Sequence, residues 1–205
     1  MILNKTKLDK IMKKGKMIIL SGPSGSGKTT ISHCLLSKFP ELKFSVSCTT
    51  RSIRNNEIHG KDYYFLSINS FFSKIKKYQF AEWEEVYPKL FYGTLKNEIY
   101  KIWKSNQHIL FDIDVKGGLN LKKQYPNNSL SIFIMVNSIK VLKERLITRY
   151  HKNYENDETN INIRLKKAKK ENNYAKLFDF VLLNIDLFQT KKKVIQIVSN
   201  FIYGK

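Results

Sequence analysis

With 205 residues, 42% of them hydrophobic, the chain can bury one sizeable core and needs no second independent domain. Its 37 Lys and Arg against 17 Asp and Glu give a formal charge of +20. Two cysteines, Cys34 and Cys48, exclude a disulfide framework, and no stretch approaches the ~20 apolar residues of a membrane span.

The excess of lysine invites a nucleic-acid partner, because clustered cations neutralise phosphates. Its distribution argues against one. Lysines are scattered along the whole chain, and runs such as Lys166-Lys167 and Lys191-Lys192-Lys193 fall in amphipathic helical patterns as solvated faces. The four histidines (His33, His59, His108, His151) show no metal-ligand spacing with cysteine or carboxylate. The lysines of residues 5–16 and the apolar run 17–20 resemble the start of a signal peptide, but the run is too short. The expectation is a cytoplasmic protein with reduced thiols and no membrane partner. Its oligomeric state is left open.

Taken in chain order, residues 17–21 predict a short buried strand, followed by Gly22-Pro23-Ser24-Gly25-Ser26-Gly27-Lys28-Thr29-Thr30 and a helical pattern over 28–39. The loop fits G-x-x-x-x-G-K-[ST], and it stands between strand and helix as that motif requires. Glycines let backbone N–H groups turn inward around a polyphosphate, and the helix N-terminus adds partial positive charge. Lys28 then reaches the β- and γ-phosphates of a nucleoside triphosphate, while the Thr29 hydroxyl ligates Mg²⁺. A second strand is predicted at 44–47. After it come Arg51, Arg54, Glu57, Gly60 and Tyr63, two arginine forks and a phenol that can surround a single phosphate. The alternative is an ordinary exposed loop.

Between residues 49 and 94 the rhythm changes to aromatic, strand-like pieces at 63–66 and 81–86, with one short helix from about 68 to 75. This stretch predicts a mostly β insertion in an α/β core. A helix is predicted at 95–105 and a strand at 108–112, ending in Asp112-Ile113-Asp114. A carboxylate at the carboxyl end of such a strand faces the phosphate loop, where Asp112 can hold a Mg²⁺ water. Helices at 117–125, 139–150, 158–173 and 187–203 alternate with strands at 132–136 and 180–183. The polar stretch 151–159 reads as a mobile lid. Alternation of this kind predicts a P-loop, three-layer αβα parallel sheet.

Several blocks together resemble guanylate kinase: the loop through Lys28, Ser45-Val46-Ser47 leading to Thr49-Thr50-Arg51, Gly60-Lys61-Asp62-Tyr63, Glu82-Trp83, Tyr92-Gly93-Thr94, and Leu110 through Asp114. They stand in the family's order, and the resemblance runs from Lys16 to the last helix. It implies transfer of the γ-phosphate of ATP to GMP, with Mg²⁺, in purine nucleotide recycling; GMP against dGMP is left open. It also implies a single domain over 1–205, with core 16–48 and 95–205, GMP-binding insertion 49–94 and lid at about 150–160. By position it gives Glu82 the reading of guanine, one carboxylate accepting from N1–H and the 2-amino group. Sites of that kind reject an analogue lacking the donors by roughly 10⁴ or more. Without the resemblance, Glu82 reads as a cross-strand carboxylate on a half-buried strand.

The resemblance further implies that Ser47 and Thr94 contact the base, and that Arg51, Arg54, Tyr63 and Tyr92 hold the GMP phosphate. Asp114 falls near bound GMP, and Asn184 contacts adenine. Arg145, Arg149 and Arg164 are the arginines that neutralise the transferring group, the alternative for them being a helix face that pairs with Glu144 or Glu155. The chain departs from the family pattern at Tyr150 (commonly glycine), at Val136-Asn137-Ser138 (usually Pro-Pro-Ser) and at Asn184-Ile185-Asp186, and the segment between Glu82 and Tyr92 reads as slightly longer. Rival readings are a non-catalytic binding module of the same fold, which typically loses the loop lysine, and a different nucleoside monophosphate kinase.

Overall fold

The computed structural model describes residues 15–54, 57–152 and 158–204, without the side chains of 149–152 and 158–160, and these residues run through nine strands and seven α-helices. In order these are β1 (Met17–Ser21), α1 (Lys28–Lys38), β2 (Leu42–Phe44), β3 (Cys48–Thr49), β4 (Tyr64–Phe65), α2 (Ile68–Lys76), β5 (Phe80–Tyr87) and β6 (Leu90–Leu95). Then follow α3 (Lys96–Lys104), β7 (His108–Asp112), α4 (Val115–Gln124), β8 (Ser129–Met135), α5 (Ile139–Lys152), α6 (Glu158–Asn172), β9 (Phe180–Leu183) and α7 (Leu187–Tyr203).

The larger sheet has the order β2-β7-β1-β8-β9, and all its pairings are parallel. Parallel strands need helical crossovers, so both faces of this sheet are covered and β1 is buried along its whole length. Its side chains alternate between two cores. Ile18 and Leu20 pack with Ile31 and Leu35 of α1 and Val194 and Val198 of α7. Met17 and Ile19 pack on the opposite face with Ile99, Ile102 and Trp103 of α3 and Leu121 of α4. This period of two along one strand gives the three αβα layers.

The smaller sheet, β4-β3-β6-β5, is built from strands lying between residues 48 and 95. Its long pair is antiparallel, with Glu82 opposite Thr94 and Trp83 opposite Gly93. Under it Phe71 of α2 stacks on Phe80 at 4.5 Å between ring centres, and buried Cys48 joins the same cluster. Both cysteines are free thiols, and burial pushes the Cys48 thiol up to about 12, which keeps it inert.

Among the differences from the sequence expectation, three have a visible physical reason. β2 occupies 42–44 rather than 44–47, because its partner decides it: Leu42 pairs with His108 and Phe44 with Leu110. One more bond, from Ser45 N–H to the Leu110 carbonyl at 3.0 Å, ends the ladder before the chain turns into the other sheet. β8 begins at Ser129, three residues early. Its polar start is tolerated because Ser129 donates to the Tyr125 carbonyl and Ser131 donates to Asp179, at 2.6 and 2.9 Å. The segment between Glu82 and Tyr92 is a continuation of β5 and a tight turn at Pro88-Lys89 into β6, a strand the sequence pattern did not single out.

Candidate active site

Register places the two signature segments side by side. Leu20 of β1 is opposite Asp112 of β7, so the phosphate loop leaves β1 beside the end of β7. Gly22 and Gly27 have φ of 143° and 99°, backbone that side-chain-bearing residues avoid. A Cβ at Gly22 would run into the Ile134 carbonyl, and one at Gly27 into the Asn184 amide. Gly27 caps α1 without a side-chain hydrogen bond, so the first N–H groups of the helix face the loop cavity unclaimed by a capping side chain.

Lys28 Nζ donates to the carbonyls of Gly22 (2.8 Å) and Pro23 (3.2 Å) and stands 4.0 Å from Asp112. The Thr29 hydroxyl donates to Asp112 Oδ2 at 3.0 Å. Thr30 is exposed beside it on the first turn of α1. The far side of the loop is tied down by three groups. Asn184, 3% exposed, donates through its amide to the Ser26 carbonyl at 2.8 Å. Arg145 donates to the Ser26 carbonyl at 3.4 Å and the Asn184 carbonyl at 3.2 Å, while Glu155 of the sequence alternative lies outside the described residues. Arg164 donates to Ser24 Oγ at 2.9 Å. Ser26 Oγ and Asn184 Oδ1 are buried with no hydrogen-bond partner, two polar atoms turned towards the same loop. Arg149 lies on α5, but its side chain and the stretch around 153–157 fall outside the described residues, and with them most of the lid at 150–160.

The second cluster lies at the smaller sheet. Arg51 holds Glu57 through two bonds, Nη1 to Oε2 at 2.9 Å and Nη2 to Oε1 at 2.7 Å, and the Arg54 N–H donates to Glu57 Oε2 at 3.0 Å. Burial opposes the charge on Arg51, but Glu57 and Tyr92 outweigh it and raise the guanidinium pKa. Burial likewise opposes the charge on Glu57, yet Arg51 and the Arg54 backbone bring its pKa below the usual carboxylate value. The Tyr63 ring lies 5.4 Å from the Arg51 guanidinium and 6.0 Å from the Tyr92 ring. Burial, with the nearby Asp112 charge and Tyr92, pushes the Tyr63 hydroxyl up to about 12. Sensitivity of Tyr63 to Asp112 ties this cluster spatially to the phosphate-loop end of β7.

Glu82 is 6% exposed on β5, directly opposite Thr94, which is fully buried; Ser47 is buried as well. The half-buried carboxylate of the sequence alternative is thus a fully interior one. Burial raises its pKa to about 8; Thr94 pulls it down and Asp114 adds repulsion. Asp114 caps α4, accepting from the N–H groups of Lys116 (3.3 Å) and Gly117 (3.4 Å). Gly117 is where the helix meets the acid: a Cβ there would collide with the Glu82 carboxylate.

The residues named from sequence thus form two facing groups, one around the phosphate loop and one around Arg51 and Glu82. Three participants were not assigned from sequence. Glu57 braces Arg51 from six residues away, and Gly117 makes room for Glu82 from another element. Tyr87 carries two cations of α6 on its ring, Arg164 at 5.4 Å and Lys167 at 4.9 Å. No local pattern marks any of the three. Lys167 is accordingly no solvated-face lysine: it also pairs with Glu171 at 3.2 Å.

A phosphate loop after the central strand of a parallel sheet in the order β2-β7-β1-β8-β9 defines a P-loop nucleotide-binding fold. The guanylate kinase family profile matches residues 14–201. The guanylate kinase of Bacteroides fragilis is 42% identical over 189 residues, covering 92% of this chain and 91% of the relative. That of Chlorobium luteolum is 39% identical over 197 residues, 96% and 98% of the two chains. The crystal structure of guanylate kinase from Anaplasma phagocytophilum superposes with a TM-score of 0.74 at 27% identity, covering 92% of this chain and 87% of that one. The chain belongs to the guanylate kinase family.

Proposed function

We propose that the two facing groups carry out the ATP-dependent phosphorylation of GMP to ADP and GDP, one holding the donor and the other the acceptor. What supports this most is the meeting of Lys28, Thr29 and Asp112 with a second pocket that holds a desolvated carboxylate, Glu82, beside a braced arginine, Arg51. One end suits a polyphosphate and the other a phosphorylated base with hydrogen-bond donors.

On the donor side, residues 22–30 cradle the ATP phosphates with backbone N–H groups, and Lys28 leaves its carbonyl partners for the β- and γ-oxygens. Ser26 Oγ and the Asn184 amide supply polar contacts along the same wall. Thr29 and Asp112 present two hard oxygens 3.0 Å apart that would hold Mg²⁺, Thr29 directly and Asp112 through a water. When bound, Mg²⁺ supplies charge neutralisation on the transferring phosphoryl group. Arg145 and Arg164 add positive charge at the loop, and Arg149 belongs to the same proposed set.

On the acceptor side, Arg51, Arg54, Tyr63 and Tyr92 bind the GMP phosphate, with Glu57 holding the Arg51 fork in place. Glu82, ionised, accepts from guanine N1–H and the 2-amino group, while Ser47, Thr94 and Asp114 complete the base pocket. A phosphate monoester is already largely ionised near neutral pH, with a second pKa of about 6, so no general base is needed. Positioning and charge neutralisation carry the chemistry.

We assign the core to 16–48 and 95–205, the GMP-binding insertion to 49–94 and the lid to about 150–160. No helix among the described residues is long and apolar enough to cross a membrane, and a cytoplasmic site of action fits a reaction of free nucleotides. The test is ADP formation from Mg-ATP with GMP, AMP, CMP and UMP in parallel, each against a blank without acceptor. ADP formed with GMP alone is the expected result. Equal rates with the other acceptors would sink the role of Glu82, and no acceptor-dependent ADP would sink the reaction.

A further inference from the structure

Tyr87 ends β5 at the tip of the hairpin, paired with Leu90 across the turn. Its ring carries the Arg164 guanidinium at 5.4 Å and the Lys167 ammonium at 4.9 Å. These two cations are three residues apart on α6, so they share one helix face and meet the ring together. Each is held on its other side as well. Arg164 donates to Ser24 of the phosphate loop at 2.9 Å, and Lys167 pairs with Glu171 at 3.2 Å. A continuous line of contacts therefore runs from the acceptor-binding sheet through Tyr87 and Arg164 to the donor loop.

We infer that Tyr87 is a positioning residue: its ring holds Arg164 over the phosphate loop, so that seating of the acceptor sheet and placement of a donor-side arginine occur together. The inference rests on the function proposed above for the two pockets. It follows from the direction of the forces. A guanidinium is drawn to an aromatic face by the ring quadrupole, more strongly as water is excluded, and it can donate hydrogen bonds in its own plane while it lies over the ring, as Arg164 does to Ser24. An arginine anchored this way loses less side-chain freedom when it meets a phosphoryl group. The contacts are made with the ring face, so a phenyl ring performs the same task and an aliphatic side chain of similar bulk does not.

The experiment is a set of steady-state measurements on the full chain with Mg-ATP and GMP, combined with a double-mutant cycle. Tyr87→Leu lowers kcat about tenfold, the size of a partly desolvated cation–π contact, and leaves KM for GMP within about twofold. Tyr87→Phe keeps both parameters within about twofold. In an Arg164→Ala background, Tyr87→Leu causes no further loss. Equal losses in the two backgrounds, a change confined to KM for GMP, or a Tyr87→Phe variant as slow as Tyr87→Leu would each overturn the inference. Calorimetric titration with a non-hydrolysable Mg-ATP analogue gives a readout that does not need turnover. Tyr87→Leu weakens the analogue severalfold when Arg164 is present and not when it is absent. Should GMP fail as acceptor, the function proposed above falls while this cycle still decides the coupling; no analogue binding at all overturns the coupling too.

Discussion

The donor and acceptor ends of the site are built on opposite principles. At the proposed donor end the binding surface is mostly backbone: glycine conformations at 22 and 27 set the loop, Lys28 of α1 donates to the Gly22 and Pro23 carbonyls, and Arg145 of α5, Arg164 of α6 and Asn184 just past β9 hold it through Ser24 and Ser26. At the acceptor end the surface is side chains, held in states that cost free energy in the empty pocket. Glu82 keeps its proton to about pH 8 because burial disfavours its charge, and Glu57 and Tyr92 offset the cost of burying the Arg51 charge. Backbone N–H groups recognise phosphate whatever nucleoside carries it. A buried acid and a braced arginine are satisfied by one kind of ligand. Affinity without much selectivity on one side and selectivity on the other follow from that difference.

Substitutions can break the comparison from either end, beginning with the largest effect. Lys28→Ala lowers kcat by about 10³-fold or more with little change in thermal unfolding, since Lys28 Nζ is held by loop carbonyls and Asp112 rather than by the core. A variant turning over at the wild-type rate would remove Lys28 from the donor site. Glu82→Gln lowers kcat/KM for GMP by about 10²-fold, because an amide accepts one of the two guanine donors and opposes the other; the affinity for an ATP analogue stays unchanged. A parallel loss on both substrates would place Glu82 outside the acceptor pocket.

A pH series sharpens the same point. On the proposed acceptor role of Glu82, bound GMP needs the carboxylate, and without GMP the acid persists to about pH 8. KM for GMP in the wild type therefore falls as pH rises from 7 to 8, by up to about tenfold per unit, and levels off above 8. Glu82→Gln flattens this profile. The sign for stability is opposite. A folded pKa raised from 4.5 to about 8 favours the folded state at low pH, and that advantage is lost as pH rises through 8. Melting temperature of the ligand-free wild type accordingly falls between pH 5 and 8 relative to Glu82→Gln. The smallest effect belongs to Glu57→Gln, which loses the charge-assisted brace on Arg51 and raises KM for GMP about three- to tenfold while sparing kcat.

Much of the fold was legible because it rests on short-range pattern. Apolar runs at 17–21 and 108–112 reappear as β1 and β7 with the same bounds. The aromatic stretch between 49 and 94 reappears as the smaller sheet, with the strand-like pieces at 63–66 and 81–86 becoming β4 and β5. β6 and the shifted β2 escaped because a strand is defined by its partner as much as by its own residues, and the partner is not visible locally. The same distinction divides the site. Arg51, Tyr63 and Glu82 could be named, but not the bracing of one by Glu57 or the room left for another by Gly117.

What the sequence determined by itself was the chemistry carried in contiguous residues: the loop from Gly22 to Thr29, whose conformational freedom and charge are properties of the residues themselves, and the acidic end of the strand at Asp112. Tertiary structure alone decided which carboxyl is desolvated, which arginine is braced, and that Tyr87 of β5 meets Arg164 of α6. Burial, pKa and cation–π contact depend on neighbours far along the chain, and only folding brings those neighbours within a few ångströms.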